Sequence, residues 1–108
     1  MLFRSAQCIS YWVKAYLAGP IEVAKQVIRK KAKRVGMCVT IEPTTYIYTG
    51  GEETGYVVGF INYARFPKND DVLWQQAFEL ATELKDETGQ DSFTIMDPDK
   101  SVWYTDRG

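Results

Sequence analysis

The side chains that could do chemistry in this chain are few, because the sequence contains no histidine. Without imidazole, the chain lacks Ser-His and Cys-His nucleophile activation and the side chain whose ordinary pKa best suits a general base near neutral pH. Its two cysteines, Cys8 and Cys38, do not form a CxxC pair and are typical of reduced packing residues in a cytosolic protein. From these absences we predict a protein that is not an enzyme and that needs no cofactor.

Two acidic clusters remain as candidates for binding. Glu52 and Glu53 lie in the glycine-rich segment Gly50–Gly55, which has a superficial similarity to a phosphate-binding loop. Two glutamates would repel an anion, however, and no Walker lysine follows, so a hairpin turn is the favoured interpretation. Asp97 and Asp99 flank a proline, which favours a surface turn over a metal site. No metal ligands are predicted, and sequestration of a small ligand or nucleotide at the Gly50–Gly55 turn remains an alternative.

The order of helices and strands can be read from the spacing of apolar residues. Period-two alternation predicts strands and a repeat of three to four residues predicts helices. The predicted elements are a strand over 9–17, a helix over 20–35, strands over 37–49 and 56–63, a helix from 70 to about 88, and one or two strands over 93–104. This β-α-β-β-α-β order predicts an α+β ferredoxin-like sandwich. Its antiparallel sheet would have four strands, or five if the last is divided, with both helices on one face, in a single domain over 1–108.

Charge is divided unevenly along the chain. Residues 1–36 carry eight of the thirteen Lys and Arg residues but one of the fourteen acids, although the net charge is −1. Such a division orients encounters with partners without determining the fold. The cations of the first helix suit its C-terminal end, where Gly36 is the expected cap.

One face of the predicted sheet is left uncovered by helices, and aromatic residues fall on it. Exposed apolar patches usually mark interaction surfaces. We therefore predict contacts to a host protein, or to a second copy in a homodimer. The predicted partner-binding residues are Trp12, Tyr16, Phe60 and Arg65.

A nucleic-acid surface is the second interpretation of the same face. Gly59–Tyr63 fits the end of the third-strand signature of RNA-recognition motifs, whose aromatic residues stack on bases. The start of that signature is missing, and the net acidic charge opposes phosphate binding. In this alternative, which covers RNA and single-stranded nucleic acid, the contact residues are Phe60, Tyr63, Lys30, Lys33 and Arg34.

Three central segments carry a resemblance to a known group of proteins: 38–41, Tyr46–Glu53 with its Tyr-x-Tyr-Thr-Gly-Gly motif, and Gly59–Pro67 with Asn-Tyr-x-Arg-Phe-Pro. They resemble small uncharacterised proteins encoded by tailed bacteriophages. The resemblance implies an accessory protein in the bacterial host cytoplasm that binds and modulates a host protein, such as a defence system. The resemblance does not indicate any particular activity. No apolar run is long enough to cross a membrane, so membrane association is not predicted.

Overall fold

The computed structural model describes residues 2–107, which form one antiparallel sheet covered by two helices. In chain order the elements are β1 (Trp12–Ala18), α1 (Ile21–Val35), β2 (Thr40–Tyr48), β3 (Gly51–Ile61), α2 (Asp70–Glu87), β4 (Ser92–Met96) and β5 (Ser101–Thr105). The strands lie in the order β2-β3-β1-β4-β5. The ferredoxin-like prediction is confirmed, with the last strand divided into an antiparallel β4–β5 pair.

The helices begin and end where the sequence signals predict. The Asn69 side chain caps α2 by accepting a hydrogen bond of 2.9 Å from the backbone N–H of Val72. Gly36 ends α1 with a φ of 64°, a conformation that glycine adopts at little cost. Pro43 lies in β2, which is an edge strand, so its missing N–H costs no bond within the sheet interior.

The core lies between the sheet and the helices. Alternate residues of β1, namely Val13, Ala15 and Leu17, face α1 and α2 and are almost fully buried. The β1–β3 register pairs them with Phe60, Val58 and Tyr56. Leucines and alanines of α2, together with Ala24 and Ile28 of α1, complete the cluster: Leu73, Ala77, Leu80, Ala81 and Leu84.

This register corrects the predicted position of Phe60. Its side chain is 2% exposed and lies opposite Val13 on the helix-facing side of the sheet. Side chains alternate between the two faces of a strand, so with Tyr56 and Val58 in the core Phe60 must be there as well. The open face of β3 instead carries Gly55, Val57 and Gly59. The RNA interpretation thereby loses the aromatic residue on which it depended.

The predicted turn over Gly50–Gly55 is also wrong. The turn is short and includes Gly50, whose φ is 94°, and β3 begins at Gly51. The hairpin is therefore longer than predicted, with Tyr48 paired to Gly51 and Tyr46 paired to Glu53. This extension places both glutamates on a strand rather than in a loop.

Candidate functional site

A groove on the open face of the sheet brings together charged, aromatic and amide side chains. It has a volume of about 360 Å³, within the range typical of small-molecule sites. We call it the open-face groove. Its lining includes Tyr16, Tyr46, Glu53, Gln90, Asp91, Thr94, Trp103 and Arg107.

The strand register explains why these residues meet. Tyr16 of β1 pairs with Thr94 of β4, and Thr94 pairs with Trp103 of β5, so the three form one row across the sheet. Strands lie about 4.8 Å apart, which puts the backbones of Tyr16 and Trp103 about 10 Å from each other. Because Trp103 is 57% exposed, its ring presents apolar surface to any molecule in the groove.

Tyr46 forms part of the groove because a glycine lies beneath it. Its hydroxyl crosses β3 and donates a hydrogen bond of 2.9 Å to the carbonyl oxygen of Leu17 on β1. A Cβ at Gly55 would come within 2.5 Å of the Tyr46 ring and within 2.2 Å of that same carbonyl oxygen. The ring therefore needs glycine at position 55 to lie across the strand.

The surroundings of Tyr46 keep its hydroxyl protonated. Burial raises the pKa of Tyr46 to about 12, and the nearby Tyr16, Tyr56 and Glu53 add to the increase. Glu53 pairs with Tyr46 across the hairpin and is itself exposed. The groove thus holds a solvent-accessible carboxylate beside a phenol that stays neutral at physiological pH.

The opposite end of the groove carries the complementary charge. Arg107 forms an ion pair of 3.3 Å from its Nε to Oδ2 of Asp91, and its guanidinium lies 5.6 Å from the centre of the Trp103 ring. Carboxylate, guanidinium, phenol and indole groups therefore line one groove. Such a set suits a ligand that has a positive charge, a carboxylate and an aromatic ring.

Other grooves are lined differently. The groove of about 520 Å³ near the N-terminal segment includes Cys8, Tyr11 and Asn62. Within it the Cys8 thiol donates to the Asn62 carbonyl and the Asn62 amide donates to the Ile9 carbonyl, so these groups pair with one another. Among residues 2–107 no three Cys, Asp or Glu side chains are grouped as metal ligands are.

The Asp97–Asp99 segment is the surface turn that the sequence favours. One oxygen of Asp97 accepts backbone N–H groups of Asp99 and Lys100, both at 2.8 Å. The other accepts the Tyr11 hydroxyl, also at 2.8 Å. Burial of Asp97 opposes ionisation, but these hydrogen bonds outweigh it and lower the pKa of the carboxyl group.

The predicted partner-binding residues are not brought together. Trp12 and Tyr16 are partly exposed on β1, and the Lys14 ammonium lies 5.1 Å from the centre of the Trp12 ring. Arg65 lies in the loop after β3, with its guanidinium 5.2 Å from the ring of Phe66. Of the four, Tyr16 alone lines the open-face groove.

The predicted nucleic-acid residues are also dispersed. Lys30 and Lys33 are exposed on α1, whereas Arg34 pairs with Glu83 at 3.2 Å. The Tyr63 hydroxyl accepts a hydrogen bond from the thiol of Cys38 at 3.4 Å. Because Phe60 is buried, these side chains do not form a base-stacking surface with it.

Sequence reasoning missed most of the groove. Tyr46, Asp91, Trp103 and Arg107 were assigned no role, and Glu53 was taken as a turn residue. The available signal was Gly55, a glycine in a strand of β-forming residues, which often marks a close approach of another group.

Comparison with solved structures shows what shares this fold. No family model and no curated protein matches the sequence. A phage SAM lyase in complex with S-methyl-5'-thioadenosine matches with a TM-score of 0.74 and 13% identity, covering 97% of this chain and 96% of that one. A phage SAM lyase in the apo state matches with a TM-score of 0.67 and 16% identity, covering 91% and 90%.

These matches contradict the prediction of a non-enzymatic protein that binds a host factor or a defence system. The structures that share the fold over almost the whole chain are of an enzyme. They also contradict the prediction that the chain is not an enzyme, which gave too much weight to the lack of histidine. Both are phage proteins, in agreement with the resemblance seen in the sequence. Across the described residues, neither helix is long and apolar enough to span a membrane.

Proposed function

We propose that this chain is a phage enzyme that cleaves S-adenosylmethionine and releases S-methyl-5'-thioadenosine, acting in the cytoplasm of the bacterial host. The observation that carries the proposal is the end-to-end likeness to a SAM lyase bound to that nucleoside. The open-face groove is the proposed site, because its side chains complement the charged and aromatic parts of this substrate.

The chemistry consumes no water and needs no added cofactor. Release of S-methyl-5'-thioadenosine breaks the bond between the sulfonium sulfur and Cγ of the amino-acid part, and the electron pair of that bond stays on sulfur. As that bond breaks, a carboxylate oxygen of the amino-acid part bonds to Cγ and closes a lactone. Alternatively, a proton passes from Cβ to the bulk solvent and its C–H electron pair forms the Cβ–Cγ double bond of an alkene. Both routes balance, and in both the positive charge on sulfur disappears. The absence of histidine is therefore no obstacle to the reaction.

Glu53 is the proposed centre of substrate attraction. S-adenosylmethionine carries a sulfonium and an ammonium group, and the exposed carboxylate of Glu53 is the anion beside Tyr46. Aromatic faces attract cations by their quadrupole, worth about 0.5–2 kcal/mol. The rings of Tyr16 and Trp103 therefore suit either the sulfonium or the adenine.

The neutral hydroxyl of Tyr46 supports the same assignment. Its proton is directed to the Leu17 carbonyl, so the phenol keeps its position without ionising. The ring and its tether thus give the groove a fixed wall. Preorganised groups of this kind lower the cost of ordering a bound ligand.

The experiment is the cleavage of S-adenosylmethionine by the purified protein, followed by chromatographic measurement of S-methyl-5'-thioadenosine. We expect one nucleoside released per substrate consumed, and at least a tenfold loss of kcat/KM in Glu53→Gln, because a charge interaction with the substrate disappears.

The matched control for this experiment is Glu52→Gln. Glu52 is the preceding residue of β3, is exposed, and points to the opposite face of the strand. We expect its activity to match that of the wild type. Absence of nucleoside release by the wild type would overturn the proposed function. A loss confined to Glu52→Gln would overturn the proposed site.

A further inference from the structure

Residues 105–107, which are the last paired residue of β5 and the two residues after it, are held to the body of the protein at several points. We call them the C-terminal strap. The backbone N–H of Asp106 donates to the Asp91 carbonyl at 3.0 Å, and the Thr105 hydroxyl donates to the same oxygen at 3.2 Å. The ion pair of Arg107 with the Asp91 side chain adds a third contact. Together these three contacts fix the position of the strap.

Lys85 anchors the strap from the other side. It lies in the last turn of α2, is 9% exposed, and its ammonium is 2.6 Å from Asp106 and 2.7 Å from Asp86. A lysine is rarely buried unless it is paired. Here the paired carboxylate of Asp106 is next in the chain to Arg107, so the anchor determines where the guanidinium can lie.

The guanidinium of Arg107 retains free donor capacity towards the groove. Its Nε is the atom that meets Asp91, and within residues 2–107 its two terminal nitrogens have no hydrogen-bond partner. An arginine presents five donors in a planar fork, so pairing through Nε leaves the terminal edge available for a second carboxylate. The ring of Trp103 supports the guanidinium at 5.6 Å.

We propose that Arg107 binds the carboxylate of the amino-acid part of the substrate, and that Lys85 is the positioning residue that holds it there through Asp106. This inference rests on the proposed function and deepens it. It makes Arg107 a specificity residue, because S-adenosylmethionine has a carboxylate and S-methyl-5'-thioadenosine does not.

The two ligands therefore provide the test. We would measure the KM for S-adenosylmethionine, which the active enzyme consumes, and the inhibition constant of S-methyl-5'-thioadenosine, for the wild type and for Arg107→Gln. We expect the variant to bind S-adenosylmethionine about tenfold more weakly and the thioadenosine within twofold of the wild type. Arg107→Lys keeps the charge without the fork and should recover part of the lost affinity.

The role of Lys85 is tested by the ratio of the same two constants. Lys85→Met and Asp106→Asn should each raise the constant for S-adenosylmethionine and leave that for the thioadenosine unchanged. The increase should be smaller than the one that Arg107→Gln causes. Lys85→Arg should return the constant to the wild-type value. Circular dichroism identifies any variant that fails to fold. If Lys85→Met fails to fold, Asp106→Asn still tests the same contact. Arg29→Gln, a change on an exposed arginine of α1, is the control and should alter neither constant at physiological salt.

The outcomes separate this inference from the proposed function. Equal weakening of both ligands by Arg107→Gln, or no weakening of either, would overturn the carboxylate assignment while the enzyme remained active. A wild type that neither binds nor cleaves S-adenosylmethionine would overturn the proposed function itself. If both constants were unchanged in Lys85→Met and in Asp106→Asn, Lys85 would not be a positioning residue. The assignment of Arg107 as the carboxylate-binding residue would still stand.

Discussion

Gly55 determines the position of the Tyr46 ring more directly than any other residue near the groove. An added methyl group would meet the Leu17 carbonyl oxygen, the Tyr46 ring and the Ala18 Cα at 2.2, 2.5 and 2.9 Å. Two of these three atoms belong to the backbone of β1, which cannot move without disturbing the sheet. The Tyr46 ring must therefore leave its place, and its hydrogen bond to Leu17 must break.

We predict that Gly55→Ala lowers the free energy of unfolding by about 1–3 kcal/mol, the usual cost of overpacking. Urea denaturation measures this loss. The control is Gly51→Ala on the same strand, where the new methyl group would meet only the Tyr48 side chain, at 3.3 Å. If both variants lost the same free energy of unfolding, the loss would come from replacing any glycine of this strand and not from the space under Tyr46.

The same change should alter the ionisation of Tyr46. Its pKa is about 12 against an ordinary value of 10.0, so the folded state holds the phenolic proton more tightly than the unfolded state does. The contribution of Tyr46 to stability is therefore full below pH 10 and is lost as the pH rises towards 12. In Gly55→Ala the pKa should fall towards 10. The tyrosinate absorbance of each protein, minus that of its Tyr46→Phe counterpart, isolates this one group.

At the scale of elements, α1 and α2 are joined by a charged contact. Lys31 of α1 is 7% exposed, and its ammonium lies 2.9 Å from Glu83 of α2. Arg34 reaches the same carboxylate oxygen at 3.2 Å. One acidic side chain thus serves two cations, one of them nearly buried. Removing that acid would leave the Lys31 ammonium without its carboxylate partner in a poorly solvated place.

We predict that Glu83→Gln costs about 1–2 kcal/mol of unfolding free energy. A hydrogen bond to a charged group is worth about 1.5–3 kcal/mol, and the partial exposure of Glu83 reduces that value. Glu79→Gln, one turn earlier on α2, is the control. Glu79 is exposed and its partner is Gln75 of the same helix, so its replacement should stay within about 0.5 kcal/mol. If urea denaturation gave the two variants the same midpoint, the contact between the helices would not be stabilising.

The elements were predictable from the sequence to a large extent, because local signals determine them. Alternation gave the buried set Val13, Ala15 and Leu17, and the cap residues Asn69 and Gly36 marked helix ends. Which side chains of β3 face the core was not predictable, because residues 56–63 have large side chains at both odd- and even-numbered positions. Register across strands resolved it, and register is a long-range property.

The candidate site was less predictable than the fold for the same reason. Tyr46, Asp91 and Arg107 are far apart in the chain and meet because of the strand order β2-β3-β1-β4-β5. No short motif joins them. The lack of histidine suggested that the protein is not a catalyst. A sulfonium group, however, departs as a neutral sulfide, so its departure does not require activation by an acid or a base.

At the scale of the whole molecule, the protein is longer than a compact chain of its length. The radius of gyration is 15.1 Å and the extents are 54 × 30 × 28 Å, whereas a compact chain of this length has a radius of about 13 Å. Residues 51–54 of β3 are exposed, in keeping with a hairpin that extends beyond the helices. Glu53 is therefore on the extended part, while Arg107 is on the body.

The charged helices and the open-face groove lie on opposite sides of the sheet. The cations of the first 36 residues are concentrated on α1, which packs beside the acidic α2, and the open-face groove lies on the opposite side. The Debye length is about 8 Å at physiological ionic strength and about 30 Å at 0.01 M. The helices should therefore influence the groove only when little salt is present.

This separation predicts the behaviour of a charge reversal on α1. S-adenosylmethionine has a net charge of +1, from two cationic groups and one carboxylate, and Arg29→Glu makes the protein more negative by two charges. We expect KM within twofold of the wild type at physiological salt. At 0.01 M salt KM should fall below that of the wild type, because the more acidic protein attracts a cation. Arg29→Gln, with half the change in charge, should show a smaller fall. A loss of turnover by Arg29→Glu at physiological salt would mean that the helix layer takes part in the substrate site, and that the open face does not hold it alone.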